Sequence, residues 1–484
     1  MRYTQIAIAT PFEGEPKINL PSCYGASPKK PILLKIAVTG LRPITYRAEN
    51  LPDGLKLENG ILRGSVANEG NYEIDLIAEN ELGIAQKKLT LEIKPEGVLL
   101  TPLMGYTSWN DTAFGISQET IEQRAQQLID LGLTEYGYRY VNTDSGWQGQ
   151  YGGEFDAVMA NEKFPDMNGM CHKLHDMGFL CGIYSSPMLR CFGVGPNYIP
   201  QPPGTTQGEP DIRFSDEHDG IGLIRKEKNN ALQWAQWGFD YLKYDWRPCD
   251  PYNAELMRQE LVKTDRDFGY CVSVKARPEY HNYWKKHCNS YRCNPDCTGI
   301  WSRTMEIYRS YFDFIPHVNR GHYFDLDMLD LGPSRLFHQL HYTEDPEFGY
   351  TEDEQLIIYS LRAFLASPIQ ISCDLSQMNE FLLSVLCNEE VIAINQDCGG
   401  YSAKPYMMLE AREKIIHVWK RKLENGDIAY AAFNLGKTEE EISIYLDEEC
   451  TVRDVWAKKD LSNTSRISLT MKPHTVRIFR TSAV

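Results

Sequence analysis

Between residues 100 and 400 the sequence alternates between short apolar strands and helical segments about eight times. The strand candidates, in chain order, are residues 101–106, 140–144, 181–187, 241–246, 271–276, 287–292, 322–329 and 368–374. Amphipathic stretches separate them, such as residues 118–133, where Ile121, Ala125 and Leu128 share one helical face. This repetition predicts a central (β/α)8 barrel. A doubly wound open sheet is the alternative, but the sequence has no glycine-rich phosphate motif to support it.

The two ends of the chain have a different pattern. Residues 1–97 contain alternating runs such as YEIDLIAE and KKLTLEIK, separated by turn signals, and predict an immunoglobulin-like β-sandwich. Near the other end, IIHVWKRKL and IAYAAFNL flank Asn425-Gly426, a strong hairpin signal. We therefore expect three domains: the first sandwich, a barrel over residues 98–402 and an antiparallel β-sandwich over residues 403–484.

Composition restricts the partners of this chain. A net charge of −16 argues against nucleic acid, because phosphate binding requires a basic face. No segment reaches the roughly 20 apolar residues of a membrane span. The 13 cysteines are scattered and fit reduced thiols better than a disulfide framework. The first residues lack the apolar core of a signal peptide, so we expect a cytoplasmic protein, with export and homo-oligomer formation left open.

Charged and aromatic side chains lie where the predicted barrel strands end, which is the active-site face of such barrels. They are Asp144, Tyr184, Lys243, Asp245, Lys275, Arg277, Arg292, Asp325, Asp327 and Asp374, with Trp109, Trp147 and Trp246 as flat apolar neighbours. Any single aspartate of this kind has an ordinary alternative role, as a helix cap or as the partner of a base. The whole set is typical of a pocket for a polyhydroxylated substrate.

The stretch YLKYDW places Lys243 and Asp245 on the same side of one strand. Burying two charges is costly unless they are paired or face a polar pocket. Asp245 is our candidate nucleophile, and Lys243 would hold it ionised. Hydrolysis of a glycosidic bond in such a substrate requires two carboxylates, a nucleophile or base and an acid. Our candidate for the acid is Asp296, in the loop four residues after Arg292.

These residues stand in longer collinear motifs between residues 100 and 400. The motifs are TPLMGYTSWN, YVNTDSGW, FPDMNGMCHKLHDMGFLCGIYSSP, WAQWGFDYLKYDW, NSYRCNPD, GHYFDLDMLDLG, LIIYSLRAFLASPIQISCDL and EVIAINQD. They resemble glycoside hydrolase family 27, the α-galactosidase and α-N-acetylgalactosaminidase family. The first domain is similar to an immunoglobulin-like domain attached to some bacterial members.

The resemblance implies a retaining exo-glycosidase that releases terminal α-D-galactose, with Asp245 as nucleophile and Asp296 as acid/base. The resemblance also implies a carbohydrate substrate and a reaction that requires neither metal nor cofactor. The residues it places at the sugar are Trp109, Asp144, Ser145, Tyr184, Lys243, Arg292 and Asp327. An alternative of another class is a non-catalytic carbohydrate-binding protein, because fold alone does not establish catalysis.

Two departures from the family pattern bear on the sugar. Family α-galactosidases usually carry two consecutive aspartates where this chain has Asp144-Ser145, and the serine weakens the grip near C6. In the strand-5 region, residues 275–277 replace the segment whose glutamate meets O2 in the animal enzymes. The resemblance therefore leaves two alternatives open, a β-L-arabinopyranosidase and an α-N-acetylgalactosaminidase. The Gly- and Pro-rich insertion at residues 191–220 either shapes specificity or is a solvated excursion.

Overall fold

Eight parallel strands form the centre of the molecule. This computed structural model describes residues 2–192, 201–214, 220–273, 276–329, 331–332 and 348–484. The barrel strands are β1 Met104–Thr107, β2 Tyr140–Thr143, β3 Leu180–Ser185, β4 Tyr241–Asp245, β5 Gly269–Ser273, β6 Ser290–Tyr291, β7 Tyr323–Phe324 and β8 Ile369–Ile371. Each predicted strand region overlaps one of them.

The eight strands pair in parallel in the order β7-β6-β5-β4-β3-β2-β1-β8. A further parallel bridge from Leu329, just after β7, to Ile371 in β8 joins the two ends of this sheet. The closed parallel order confirms the predicted (β/α)8 barrel and is not compatible with an open doubly wound sheet.

Helices surround the barrel where the amphipathic stretches predict them. Their bounds are Trp109–Thr112, Gln118–Asp130, Met167–Asp176, Glu227–Trp237, Pro251–Lys263, His281–His287, Trp301–Ser310, Glu352–Phe364, Glu380–Leu386 and Glu389–Asn395. Ile121, Ala125 and Leu128 are fully buried against the sheet, and the helix that carries them ends just before Gly132, whose φ is +73°. Within the described chain, no helix combines the length and apolar composition needed to cross a membrane.

The first hundred residues form small sheets around a core of their own. The four-stranded sheet has the order Cys23–Ala26, Gly83–Ile93, Gly70–Asn80 and Thr45–Glu49; the three-stranded sheet has the order Ile32–Lys35, Ile61–Gly64 and Leu55–Glu58; Lys17–Ile18 pairs with Val38–Thr39. Apolar side chains between these strands make one buried cluster that includes Val38, Ile74 and Leu76. The immunoglobulin-like assignment and the domain boundaries stay predictions.

The last eighty residues form one antiparallel six-stranded sheet. Its strands, in spatial order, are Lys404–Ala411, Lys414–Lys422, Ile428–Asn434, Thr475–Ala483, Glu440–Asp454 and Lys459–Met471. The predicted hairpin around Asn425-Gly426 is confirmed, with Gly426 at a φ of +93° between the two paired strands.

One pair of cysteines departs from the expected reduced thiols. Cys23 and Cys398 form a disulfide across 375 residues, while the other cysteines, Cys293 and Cys297 among them, are not in disulfides. The bond ties the first sheet to the segment that follows the last barrel helix. Spacing along the chain gave no signal for this pair because the fold alone brings the two residues together. The cytoplasmic location stays a prediction; disulfides persist mainly in oxidising compartments.

We expect Cys23→Ser to destabilise the folded chain by about 2–5 kcal/mol, because the disulfide closes a very long loop in the unfolded state. Thermal unfolding without reductant measures this as a lower midpoint for the variant. Cys450→Ser, which removes a partly exposed free thiol, is the matched control and should unfold like the parent. Equal midpoints for parent and Cys23→Ser would contradict the prediction.

Candidate active site

Strand β4 carries two of the predicted site residues and explains how their charges are accommodated. Tyr244 points outward and is fully buried against the helices, so Lys243 and Asp245 point into the barrel. Asp245 is only 8% exposed, and its Oδ1 accepts no hydrogen bond from the part of the chain that the structure describes. A buried carboxylate oxygen of this kind is free to meet a substrate.

The surroundings of Asp245 act on its charge in opposite directions. Burial raises the pKa of this carboxyl to about 6, while Lys243 and Arg292 lower it and Asp296 and Asp144 raise it. The two cations thus offset part of the cost of keeping a carboxylate in the barrel. At neutral pH Asp245 is ionised, as a nucleophile must be.

Lys243 is held between neighbouring strands. Its Nζ lies 2.9 Å from Asp144 Oδ2 and 5.3 Å from the centre of the Tyr184 ring. Burial lowers the lysine pKa, but the carboxylates of Asp144 and Asp245 outweigh burial and hold it above its ordinary value. Asp144 is fixed in turn, since Ser108 Oγ accepts a hydrogen bond from its backbone N–H at 3.0 Å. The lysine therefore stays charged and oriented.

Arg292 links the two remaining carboxylates. Its Nη1 donates to Asp327 Oδ1 at 2.7 Å, and its Nη2 donates to Asp296 Oδ1. Asp327 is buried, whereas the side chain of Asp296 is 70% exposed. Burial opposes ionisation of Asp327, but Arg292 and Lys243 hold its pKa below the ordinary value. The only strongly exposed carboxylate of this group is thus the one predicted to exchange protons with substrate and water.

Ser145 and Trp109 complete the predicted set. Ser145 is buried, and its Oγ has no hydrogen-bond partner among the described residues. Trp109 begins the short helix that follows β1 and packs edge-on against Phe114, with ring centres 5.3 Å apart. Ion pairs and shared strands bring Asp144, Lys243, Asp245, Arg292, Asp296 and Asp327 into one network.

Some expectations about this face need correction. Trp147 and Trp246 are 0% and 2% exposed and belong to the core, so they are not flat walls of a pocket. Asp374 pairs with Arg124 at 2.9 Å and caps the turn after it, as its ordinary alternative role predicts. Both errors arise because position near a strand end does not show which way a side chain points.

The strand-5 departure also differs from the expectation. Strand β5 ends at Ser273, and the register places this residue directly beside Asp245. Ser273 is buried and its Oγ has no described partner, so this small residue, missed from the sequence, lies next to the candidate nucleophile. Arg277 instead lies 3.7 Å from Glu279, and Lys275 is outside the described residues. The alternation of Cys271 and Ser273 on the inner face was the available signal.

Three potential metal ligands meet elsewhere in the barrel. Ligand atoms of His175, Cys181 and Asp240 lie within 4.8 Å of one another. However, His175 Nε2 is 2.8 Å from Asp240 Oδ2, and Arg266 bonds the other carboxylate oxygen. Burial lowers the pKa of His175, but Asp240 outweighs burial and raises it to about 10. This cluster is a satisfied ion-pair group rather than an open metal site.

We expect the acid limb of kcat/KM to have its midpoint near pH 6, since Asp245 must lose its proton to act and its pKa is about 6. Lys243→Met removes an influence that lowers this pKa, so the midpoint should move to higher pH. Lys173→Met, at a surface lysine, is the control with no shift. A midpoint that moves to lower pH in Lys243→Met would refute this assignment.

Known proteins match this chain in sequence over the barrel and over the C-terminal sheet. Residues 219–397, which include β4 to β8, match the family model described as "Alpha galactosidase A". Residues 413–481 match the one described as "Alpha galactosidase C-terminal beta sandwich domain". Alpha-galactosidase 2 of Arabidopsis thaliana is 25% identical over 400 residues, which covers 79% of this chain and 90% of the plant protein.

Solved structures extend the likeness to nearly the whole chain. A Bacteroides fragilis protein named as a candidate alpha-galactosidase/melibiase is 28% identical with a TM-score of 0.85, over 98% of this chain and 99% of that one. The family 27 β-L-arabinopyranosidase of Geobacillus stearothermophilus is 20% identical with a TM-score of 0.68, over 79% and 97%, and shares the fold. With a closed barrel, two domain matches in the same order and the carboxylates in place, the chain belongs to glycoside hydrolase family 27.

Proposed function

We propose that this protein hydrolyses terminal α-D-galactosyl residues of oligosaccharides or glycoconjugates with retention of configuration. The observation that carries the proposal is the pairing of a buried, ionised Asp245, whose Oδ1 is free of described partners, with an exposed Asp296 held by Arg292. Retaining glycosidases require these two carboxyl roles. The names of the family relatives supply the sugar.

In the first step an oxygen of Asp245 attacks C1 of the galactosyl unit and forms an ester bond to it. The bond between C1 and the leaving oxygen breaks, and that oxygen takes its proton from the carboxylic acid of Asp296. Lys243 and Arg292 lie close enough to influence the charge of Asp245, and they donate hydrogen bonds to sugar hydroxyls without accepting any.

In the second step Asp296, now a carboxylate, takes a proton from water. The water oxygen attacks C1, the ester to Asp245 breaks, and galactose leaves with the α configuration it had in the substrate. The exposure of Asp296 suits this step, because the group must meet first the leaving group and then solvent. The substrate of this reaction is a carbohydrate. That the protein does not bind nucleic acid is a prediction from its net charge, and homo-oligomer formation stays open.

Ser145 favours a second candidate, hydrolysis of β-L-arabinopyranosides, which are galactosides without the C6 hydroxymethyl group. A serine hydroxyl provides at most a neutral hydrogen bond near C6, where a second aspartate would provide a charge-assisted one. We expect Ser145→Asp to raise the ratio of kcat/KM for galactoside over arabinopyranoside about tenfold, or ~1.4 kcal/mol. Ser145→Ala is the matched control. An unchanged ratio in Ser145→Asp would show that this position does not sense C6.

Initial rates on three p-nitrophenyl glycosides test the function directly: α-D-galactopyranoside, β-L-arabinopyranoside and α-N-acetylgalactosaminide, with Asp245→Ala as blank. The proposal expects the galactoside to lead. A lead of the arabinopyranoside would favour the second candidate, and a lead of the N-acetylgalactosaminide would indicate that the small side chain of Ser273, beside Asp245, admits an acetamido group. Rates no higher than those of the blank on all three substrates would favour the alternative, a non-catalytic carbohydrate-binding protein.

A further inference from the structure

The turn that follows β7 holds an unusual backbone conformation. Asp327 has a φ of +70°, in the left-handed region that residues with a Cβ rarely adopt. Such a conformation persists only where surrounding contacts determine it. The contacts around Asp327 therefore indicate what keeps the turn in place.

Two buried side chains bind the backbone of this turn. The N–H of Asp327 donates to Asp325 Oδ1 at 2.8 Å. From the other side, Arg362 donates to the carbonyl oxygens of residues 326, 327 and 328 at 3.0, 3.3 and 2.8 Å. Asp325 and Arg362 are 3% and 4% exposed. Their combined hydrogen bonds fix a turn that the local sequence alone disfavours.

The side chain of Asp327 contacts the residues that hold Asp296. Asp327 Oδ1 accepts from Arg292, and Asp327 Oδ2 accepts from the backbone N–H of Cys297 at 2.7 Å. Cys297 is the chain neighbour of Asp296, and Arg292 is its ion-pair partner. These two contacts of the Asp296 loop thus pass through one carboxylate, whose position depends on the turn, and Asn294 Nδ2 adds a third contact, to the backbone oxygen of Asp325 at 2.9 Å.

Asp325 is itself supported by the neighbouring strand β8. Gln370 Nε2 donates to Asp325 Oδ2 at 3.3 Å, and Asn142 Nδ2 lies 3.5 Å from Gln370 Oε1. Burial and the neighbouring Asp327 raise the pKa of Asp325 to about 6. At neutral pH it is ionised, and both of its oxygens accept.

We propose that Asp325 is a positioning residue, which holds the strained turn at Asp327 and thereby sets the Asp296 loop for proton transfer. The inference rests on the proposed function, since it concerns the acid step of that reaction. It predicts a defect that depends on how much protonation the leaving group needs. A poor leaving group such as methoxide depends on the acid, whereas 2,4-dinitrophenolate leaves without it.

The test compares Asp325→Asn with the parent on methyl and 2,4-dinitrophenyl α-D-galactopyranoside. The amide places a donor against the Gln370 donor and disturbs the network. We expect kcat/KM on the methyl glycoside to fall about 10- to 100-fold, and that on the dinitrophenyl glycoside to fall less than about threefold. In the double variant Asp325→Asn with Gln370→Glu, one carboxylate oxygen of residue 370 accepts from the new amide at 325 and the other accepts from Asn142. We expect this variant to recover most of the lost kcat/KM on the methyl glycoside.

Asp353→Asn is the matched structural control. Asp353 is also buried and accepts two backbone hydrogen bonds, at 2.7 and 3.0 Å from residues 3 and 4, so its loss should not change the ratio of the two substrates. Equal losses on both substrates in Asp325→Asn, or no recovery with Gln370→Glu, would overturn the inference. Failure of the proposed function is distinct, because the parent enzyme would then cleave neither glycoside.

Discussion

Asp245→Ala is expected to lower kcat/KM on p-nitrophenyl α-D-galactopyranoside by about 10⁴-fold or more, because the variant lacks the carboxylate that we propose to form the ester to C1. The reason is geometric as well as chemical. Asp245 presents an unpartnered oxygen to the pocket, while Asp144 and Asp327 are bound to cations. Initial rates at saturating and limiting substrate measure the loss.

Azide distinguishes a lost nucleophile from a damaged pocket in this variant. The small anion fits the space vacated by the carboxylate, attacks C1 from the same side and yields β-galactosyl azide, with configuration inverted. Asp176→Ala, at a surface carboxylate that is 84% exposed, controls for the substitution itself. Retention of more than a tenth of the parent rate in Asp245→Ala would assign the nucleophile to another residue.

Asp296→Ala is expected to have the second largest effect, and a selective one. Loss of the general acid should lower kcat/KM on methyl α-D-galactopyranoside by about 10²- to 10⁴-fold. The dinitrophenyl glycoside should lose far less, since its leaving group departs unprotonated. The measurement is the ratio of kcat/KM between the two substrates, which is independent of the folded fraction of the variant.

Glu279→Ala provides a comparison at another carboxylate that is 57% exposed, and we expect it to leave the ratio unchanged. An equal loss on both substrates in Asp296→Ala would show that Asp296 acts on the fold or on binding rather than as the acid. Its pairing with Arg292 would then be the whole of its role.

The barrel was predictable because its signals are periodic and repeated. Apolar strands at regular intervals and helices with one apolar face, such as Ile121, Ala125 and Leu128, leave few other ways to bury the same surface. The hairpin at Asn425-Gly426 was predictable for a local reason, since few sequences satisfy that turn. Neither inference needed long-range information.

The wrong or missed predictions concern side-chain orientation, strand register and long-range pairing, which position near a strand end does not determine. Trp147 and Trp246 lie near strand ends, yet their side chains are buried in the core. Alternation along β5 indicates that Ser273 faces inward, but its position beside Asp245 was missed because nothing local marks the end of β5 or its register with β4. The Cys23–Cys398 bond joins residues 375 positions apart, a separation at which spacing carries no information.

The site itself was predicted as a set of residues, but not as a network. Lys243 and Asp245 on one face followed from the period of a strand. Asp327 binds both Arg292 and the backbone beside Asp296. These contacts depend on a left-handed turn that nothing in the local sequence indicates. Asp325 looked like one more strand-end carboxylate, and its role emerges only from that turn.

The most direct test of the central claim is to trap the glycosyl-enzyme with 5-fluoro-α-D-galactosyl fluoride and to map the labelled peptide by mass spectrometry. The fluorine substituent slows both steps by destabilising the oxocarbenium-like transition states, and the fluoride leaving group restores the first. We predict one added fluorogalactosyl unit, on Asp245, and none in Asp245→Ala. An unlabelled parent enzyme, or a label on another residue, would contradict the proposed galactosidase mechanism.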